Sequence, residues 1–287
     1  MSQRLSVTFL DVGWGDSILI EAEDARGNCF YALVDSNDTL NQPSSLLFLK
    51  RFFERKGIPY RRPNPRVFRF VLLTHTHADH ASGLPRLLRE FGSDYLLYSS
   101  SSSPGDPFLA QILRYCRHRG ARLGATEAVY HGKPLRHIPF GPVSLSVLWP
   151  RHGFSDPNEN NNSVVLALTL KKITFLLTGD VNAGIAPQIV RQIPANTKVV
   201  QVPHHGAENG TFDAHGATPW INHFMHGSIP SHFALSCHPR PHNHPHRAVI
   251  NALTSHLPSA AIRRTDKDYH LKFETDGTTV TSYYTHA

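Results

Sequence analysis

Residues 67–73 form a nearly continuous apolar run that stops abruptly at Thr74-His75-Thr76-His77-Ala78-Asp79-His80. A short apolar run bounded by polar residues predicts a buried strand. Three imidazoles and a carboxylate within six residues predict that the turn beyond it presents metal ligands. Imidazole suits Zn, Mn, Fe and Ni, and carboxylate adds hard-oxygen character. The plainer alternative is a polar loop that is His-rich because the chain is: 20 of its 287 residues are His. The spacing favours metal.

The rest of the chain supplies companions for such a strand. Residues 5–11, 17–22 and 29–35 read as strands separated by Gly13, Gly15 and Gly27. Residues 45–56 read as a helix with Leu46, Leu47, Leu49, Phe52 and Phe53 on one stripe, and a Pro-rich connection follows over 59–65. Helices are expected over 84–91 and 108–118, and residues 99–103 with Pro104-Gly105-Asp106-Pro107 as an exposed loop between them. Strands are expected at 143–149, 163–170, 173–178 and 198–202, with 150–162 as a loop and Lys171-Lys172 as a tight turn. Residues 232–237 and 260–265 read as strands around a helix at 247–257, and Asp276-Gly277 closes a hairpin of 271–275 with 279–284. No internal sequence repeat is visible. Two runs of strands and helices predict two packed sheets with helices outside, a four-layer α/β sandwich forming one domain over 1–287.

Composition narrows the class. With 40% hydrophobic and 18% charged residues the chain can build a sizeable core and is not disordered. Cys29, Cys116 and Cys237 lie far apart with no CxxC spacing, which excludes a disulfide framework and a thiolate zinc finger and points to a reducing compartment. Apolar runs such as 164–170 fall short of the roughly 20 residues that span a bilayer. The alternating pattern at 5–10 begins without a signal-peptide pattern, so the expectation is a cytoplasmic protein with no membrane contact. Lys plus Arg is 29 against 22 Asp plus Glu, a formal +7, which favours an anionic partner.

Further candidates follow strand ends. Asp180 closes the apolar run 173–179 and can offer both oxygens to cations, or simply cap a turn. His204-His205-Gly206 follows the strand at 198–202; one of the two histidines is expected to complete a metal shell, with His204 preferred, and the other to hydrogen-bond from behind. Asp35 is a candidate to orient the first motif. Eleven histidines lie between His204 and His256, including His242, His244 and His246 in a Pro-interrupted loop that reads as a rim from which one imidazole could act on substrate. The Asp11-Val12-Gly13-Trp14-Gly15-Asp16-Ser17 segment is a tight turn, not a nucleotide-binding loop, and Ser17 has no nucleophile elbow. The basic, aromatic stretch 51–70 could form a stacking, phosphate-attracting face, or bury its rings.

The H-x-H-x-D-H run is the signature of the metallo-β-lactamase fold superfamily. Within it the chain resembles the β-lactamase-like domain of ComEC, the bacterial DNA-uptake channel protein, and its soluble relatives. The matching stretches are Phe9-Leu10-Asp11-Val12-Gly13 with Gly15-Asp16-Ser17, Leu73-Thr74-His75 through Gly83-Leu84, Asn161-Asn162-Ser163-Val164-Val165, Leu176-Leu177-Thr178-Gly179-Asp180, Val202-Pro203-His204-His205-Gly206, Asn243-His244-Pro245-His246 and Arg264-Thr265-Asp266, in the family's order. Trp14 stands where the family usually has Gln, Asp35-Ser36-Asn37 replaces Asp-Thr-Gly, and Asn161-Asn162-Ser163 lies where the superfamily usually has its third His ligand.

The resemblance implies a four-layer αββα sandwich of the metallo-β-lactamase type and a hydrolase with one or two divalent ions, Zn or Mn. It implies His75, His77 and His204 on one ion, Asp79 and His80 on the other, and Asp180 bridging. Asp79, His205 and His244 are the implied catalytic residues. The implied reaction is cleavage of a phosphodiester in a nucleotide or nucleic acid, with single-stranded DNA a candidate partner. Hydrolysis of a non-phosphate ester, lactam, lactone or thioester is the second reading, and a non-catalytic metal-bound binding module the third.

Overall fold

The apolar run before the histidines is a strand, Phe68–Leu73, central in its sheet and buried along nearly its whole length. The structure is a computed structural model describing residues 2–39, 41–103, 105–118, 123–133 and 135–285. The strands of the first half are β1 (Arg4–Phe9), β2 (Ile18–Glu23), β3 (Cys29–Val34), β4 (Phe68–Leu73), β5 (Ser93–Ser99) and β6 (Leu123–Val129). Those of the second half are β7 (Ser144–Trp149), β8 (Val165–Leu170), β9 (Ile173–Leu177), β10 (Thr197–Gln201), β11 (His232–Leu235), β12 (Ile262–Arg264), β13 (His270–Thr275) and β14 (Val280–Thr285). The helices are α1 (Ser44–Arg55), α2 (Ala78–Ala81), α3 (Leu84–Phe91), α4 (Pro107–His118), α5 (Ala186–Ile189), α6 (Glu208–Thr211), α7 (Pro219–Met225), α8 (Arg247–Thr254) and α9 (Thr265–Asp268).

Eight strands form one sheet in the order β14-β13-β1-β2-β3-β4-β5-β6, and six form the other in the order β12-β11-β10-β9-β8-β7. Both change character partway across. The first is antiparallel from β14 to β3 and parallel from β3 to β6. The second is antiparallel from β7 to β9 and parallel from β9 to β12. Ligand sites in open α/β sheets lie outside the carboxyl ends of parallel strands, where side chains from neighbouring loops converge.

Apolar residues that the period of two aims at the facing sheet make the central core: Leu5, Phe9, Val34, Phe70 and Leu72 meet Leu166, Leu168, Phe175, Leu177 and Val199. Each such side chain contributes about 1.5–3 kcal/mol on burial, so this layer holds the sheets in register. On the outer face of the first sheet, α3 buries Leu84, Leu87, Leu88 and Phe91, the i, i+3, i+4, i+7 set of one helix stripe, against Leu49 and Phe53 of α1. Pro85 in its first turn and Gly92, at φ 67°, bound that helix. On the far face Ile189, Trp220, Phe224, Val249 and Leu253 cover the second sheet. These are the four layers expected from the sequence.

The differences are local. Ser93–Ser99 is a strand, so Ser99, read as the start of an exposed loop, is buried and donates through Oγ to the Asn162 carbonyl at 2.6 Å; Pro104 of that loop lies outside the described residues. Helix α7 and strand β6 were not anticipated, and the helix expected over 247–257 ends at Thr254. In the stretch 51–70, Phe53, Tyr60, Phe68 and Phe70 are buried in the core, and Phe52 is half-buried. Cys29 and Cys237 are free thiols, and the Cys116 side chain lies outside those described. Among the described residues no helix is long and apolar enough to cross a membrane.

Candidate metal centre

Three turns at the carboxyl ends of β3, β4 and β9, and a fourth beyond β10, meet at one point. Asp35 follows β3 in a left-handed conformation, φ 56°, which aims its carboxylate across to the next strand end. There it accepts from the Thr74 backbone N–H at 2.8 Å and the Thr74 hydroxyl at 2.6 Å, and Oδ2 lies 2.8 Å from His80 Nδ1. A carboxylate so placed keeps the proton of His80 on Nδ1 and turns Nε2 inward. The His77 carbonyl accepts from the His80 and Ala81 N–H groups, and the single turn of α2 that results carries Asp79 and His80 to the interior.

The glycine-rich turn between β1 and β2 clamps this segment from the side. Asp16 N–H donates to the Asp79 carbonyl at 3.2 Å, and Asn37 N–H to the Asp16 carbonyl at 3.0 Å. Gly15 sits at φ +99°, and a Cβ there would stand 2.4 Å from the Asp79 carbonyl oxygen, so only glycine allows the approach.

The second sheet brings the remaining groups. Asp180 N–H donates to Ser163 Oγ at 3.2 Å. His204 and His205 both adopt left-handed conformations, φ 51° and 54°, a strained pair that sends neighbouring side chains to different places. His205 turns inward and donates from Nδ1 to the Ser236 carbonyl at 2.9 Å, leaving Nε2 free for the centre. His204 turns to the cleft wall, where Nε2 lies 3.4 Å from Asn160 Nδ2.

The outcome is a buried group of four. His80 Nε2 lies 3.5 Å from Asp79 Oδ2 and 3.3 Å from Asp180 Oδ2. His205 Nε2 lies 3.4 Å from each of the same two oxygens. One ligand atom from each of Asp79, His80, Asp180 and His205 falls within 4.8 Å of the others. His80 Nε2, His205 Nε2, His75 Nε2 and Asp180 Oδ1 are buried without a hydrogen-bond partner, although buried polar groups ordinarily have one. Nitrogen and oxygen donors that converge without hydrogen-bonding each other fit a cation.

Of the residues singled out in the sequence, Asp79, His80 and Asp180 are thus in one group, joined by His205. His204 stands one step out, with Nε2 3.7 Å from Asp180 Oδ2. The His75 ring is 4.2 Å from that of His80 and 4.7 Å from that of His77. His77, Asp79, Asp180 and His204 line a cleft of about 650 Å³ together with His244 and His246. Across it the Trp14 ring lies 4.8 Å from that of His242.

Charge shapes the protonation of the group. Burial disfavours an imidazolium at His80, yet Asp180, Asp79 and Asp35 hold its pKa well above the usual value. His205 is likewise raised, against burial, by Asp180, Asp79 and Asp16. The reverse holds at Asp79 and Asp180, whose carboxyls are lowered despite burial by His80 and His205. Burial and the positive charge at His80 push His75 down. The two carboxylates and the two imidazoles thus favour each other's charged forms.

Several residues here were not legible beforehand. Asp16 was read only as part of a turn, but its side chain is buried, with Oδ2 accepting from Gln201 Nε2 at 2.6 Å and Oδ1 lying 3.8 Å from His205 Nδ1. Gln201 Oε1 also accepts from Thr178 N–H at 3.0 Å and Gly179 N–H at 3.3 Å. Glu159 accepts from the Thr76 N–H and hydroxyl at 3.2 and 2.8 Å, fixing the turn that carries His75 and His77. The available signal was a polar residue, Gln201, directly after Val199 and Val200 at the end of β10 and before Val202.

A family model described as the metallo-beta-lactamase superfamily matches residues 32–155, which include Asp35 and the whole 74–80 turn. It supports that superfamily for this chain, and the two facing sheets with helices outside are its four-layer αββα fold. No curated protein matches. Among solved structures, a protein from Parabacteroides distasonis provisionally named a metal-dependent hydrolase is similar at 11% identity, covering 91% of this chain and 92% of that one, with a TM-score of 0.46. A long-form RNase Z from yeast is similar at 12% identity over 69% of this chain and 32% of its own, TM-score 0.41. A metallo-β-lactamase from Novosphingobium pentaromativorans is similar at 14% identity over 69% and 76%, TM-score 0.39.

Proposed function

We propose that this chain is a metal-dependent hydrolase that cleaves phosphodiester bonds, related to the ComEC-type branch of the superfamily. The observation that carries the proposal is the convergence of Asp79, His80, Asp180 and His205 on one another with their inward nitrogens unpartnered, at the floor of an open cleft. These four hold one divalent cation in this reading. His75, His77 and His204 would supply nitrogen to a second. Zn or Mn suits such mixed nitrogen and carboxylate sets. Two cations so bound would supply a water nucleophile at neutral pH and would offset charge on an attacked phosphoryl group.

The chain's own groups do the rest. Asp35 and the Ser236 carbonyl fix which nitrogen of His80 and His205 faces the cations. The cleft wall carries Asn160, Asn209 and His246, which can hydrogen-bond the oxygens of a charged ester, beside Glu208. Burial, then the neighbouring His205 and His204, push His244 down to about 4. It is therefore neutral at pH 7 and orients substrate, and the leaving oxygen takes its proton from water entering the cleft.

The test is metal analysis of the purified protein together with hydrolysis of bis(4-nitrophenyl) phosphate, single- and double-stranded DNA, RNA and cyclic nucleotides beside ester and lactam controls. Bound Zn or Mn and phosphodiester cleavage that disappears in the Asp79→Ala, His80→Ala double variant are expected. Activity that survives that change, or cleavage confined to lactams or carboxylic esters, overturns the reading.

A further inference from the structure

A second cleft, of about 620 Å³, opens between α3 and α4 and shares Ala78 with the metal cleft. Its walls combine guanidinium and apolar groups. Arg86 and Arg89, three apart on α3, stand on one face of the helix. Opposite them Phe108, 44% exposed, opens α4, with Ile112 beneath it. The acidic group in the cleft, Asp38, engages both carboxylate oxygens with the Ser45 and Leu46 N–H groups at 2.7 and 2.8 Å, which caps α1. The Arg86 guanidinium makes no hydrogen bond or ion pair among the described residues, although its charge acts on the Asp38 carboxylate. Arg89 donates to Tyr115 Oη and lies over that ring, with its guanidinium carbon 5.5 Å from the centroid. Arg89 also lines a third cleft with Arg62, Glu90 and Arg61, the last of these paired with Glu54.

The α3–α4 cleft therefore borders the metal cleft at Ala78 and the third cleft at Arg89, and the charge of the lining becomes more positive away from the metal centre. Resting on the phosphodiesterase reading, we propose that the α3–α4 cleft holds a single-stranded nucleic acid beyond the bond being cut. Arg86 and Arg89 take successive backbone phosphates and Phe108 stacks a base. Stacking on an exposed ring and phosphate contact to guanidinium are the two ingredients of single-strand binding. A duplex hides its bases from such a ring, and a lone nucleotide has no successive backbone phosphates to offer Arg86 and Arg89.

The test is fluorescence anisotropy of a labelled single-stranded oligonucleotide with the metal-free full-length chain, titrated at several salt concentrations, so that binding is read without turnover. Phe108→Ala is expected to weaken binding roughly 5- to 100-fold. Arg86→Ala is expected to weaken it and to make the slope of log affinity against log salt shallower by about 0.7, the share of one phosphate. Arg191→Ala removes an exposed charge from the opposite layer and is expected to leave both quantities unchanged. Both altered side chains in the cleft are partly solvent-exposed, and thermal unfolding of each variant verifies the fold. Binding that is absent, that matches wild type in both cleft variants, or that is equally strong for a mononucleotide overturns the inference. If the oligonucleotide binds as described but metal-loaded protein cleaves no phosphodiester, the reaction assignment fails and the cleft assignment stands.

Discussion

Gln201→Leu tests the claim that a single amide ties the two sheets together behind the metal centre. The amide sits on β10 of one sheet and donates to Asp16, in the β1–β2 turn of the other, at 2.6 Å, while its oxygen accepts from Thr178 and Gly179. All of these groups are buried. Leucine has nearly the same volume but satisfies none of them. An orphaned buried N–H costs about 1–3 kcal/mol, with Gly179 at the low end because its bond is already 3.3 Å long. A buried carboxylate that loses a donor costs about 2–3 kcal/mol more. The sum, lowered slightly by the apolar surface leucine adds, is about 3–6 kcal/mol, a large part of the 5–15 kcal/mol typical of whole domains. Urea unfolding of metal-free protein at neutral pH measures it, as a lower midpoint at unchanged slope. Gln201→Glu separates the parts: it keeps the acceptor for the two N–H groups but sets a second carboxyl against Asp16. That pair should hold one proton between them in the fold, so the introduced group has a raised folded pKa and the variant should gain stability as pH falls toward 5. A loss below about 1 kcal/mol for Gln201→Leu would refute the reasoning.

Asp35→Asn removes the charge that orients His80 while leaving the core volume intact, and metal affinity measured by competition with a chelator should fall roughly 10- to 100-fold; unchanged affinity would show that His80 is oriented by packing alone. Gly15→Ala, whose Cβ would collide with the Asp79 carbonyl, should displace α2 and reduce metal content more than it lowers the unfolding midpoint. Because the carboxylates hold His80 and His205 protonated in the metal-free chain, metal must displace those protons. Calorimetry in buffers of different ionisation enthalpy should therefore show proton release at neutral pH and affinity that rises with pH. The same raised values mean that the metal-free fold draws stability from the two imidazoles at pH below the unfolded His value of about 6.5 and loses it as pH rises through the folded values. Metal-loaded protein, in which no proton remains to lose, should lack that alkaline decline.

What could be read from the sequence was whatever is encoded within a few residues. The β4 run and the 75–80 turn are contiguous, as are the run ending in Asp180 and the β10 segment before His204, so the convergence of Asp79, His80 and Asp180 needed only the assumption that strand ends meet. Strand β5 escaped because Leu96 and Leu97 are both buried in a parallel strand covered on two faces, where the period of two disappears. Strand β6, Leu-Gly-Ala-Thr-Glu-Ala-Val at the sheet edge, has too few apolar residues to announce itself. Which of two adjacent histidines faces inward was undecidable from order alone, because consecutive left-handed residues at 204 and 205 break any periodic rule. The Asp16–Gln201 contact joins residues 185 apart and exists only once both sheets are paired and stacked.

The site falls where it does for a reason that joins these cases. Each sheet switches from antiparallel to parallel at the strand that precedes its key loop: β3 before Asp35, β9 before Asp180. At that switch neighbouring strands end side by side, and four buried carboxylates, Asp16, Asp35, Asp79 and Asp180, are brought within a few side-chain lengths of each other. Buried like charges repel strongly at low dielectric. A fold that crowds them there needs compensating positive charge. Two imidazolium protons supply part of it in the metal-free chain, and divalent cations would supply all of it, which makes the same electrostatic stress that destabilises the unliganded centre the source of its affinity for metal.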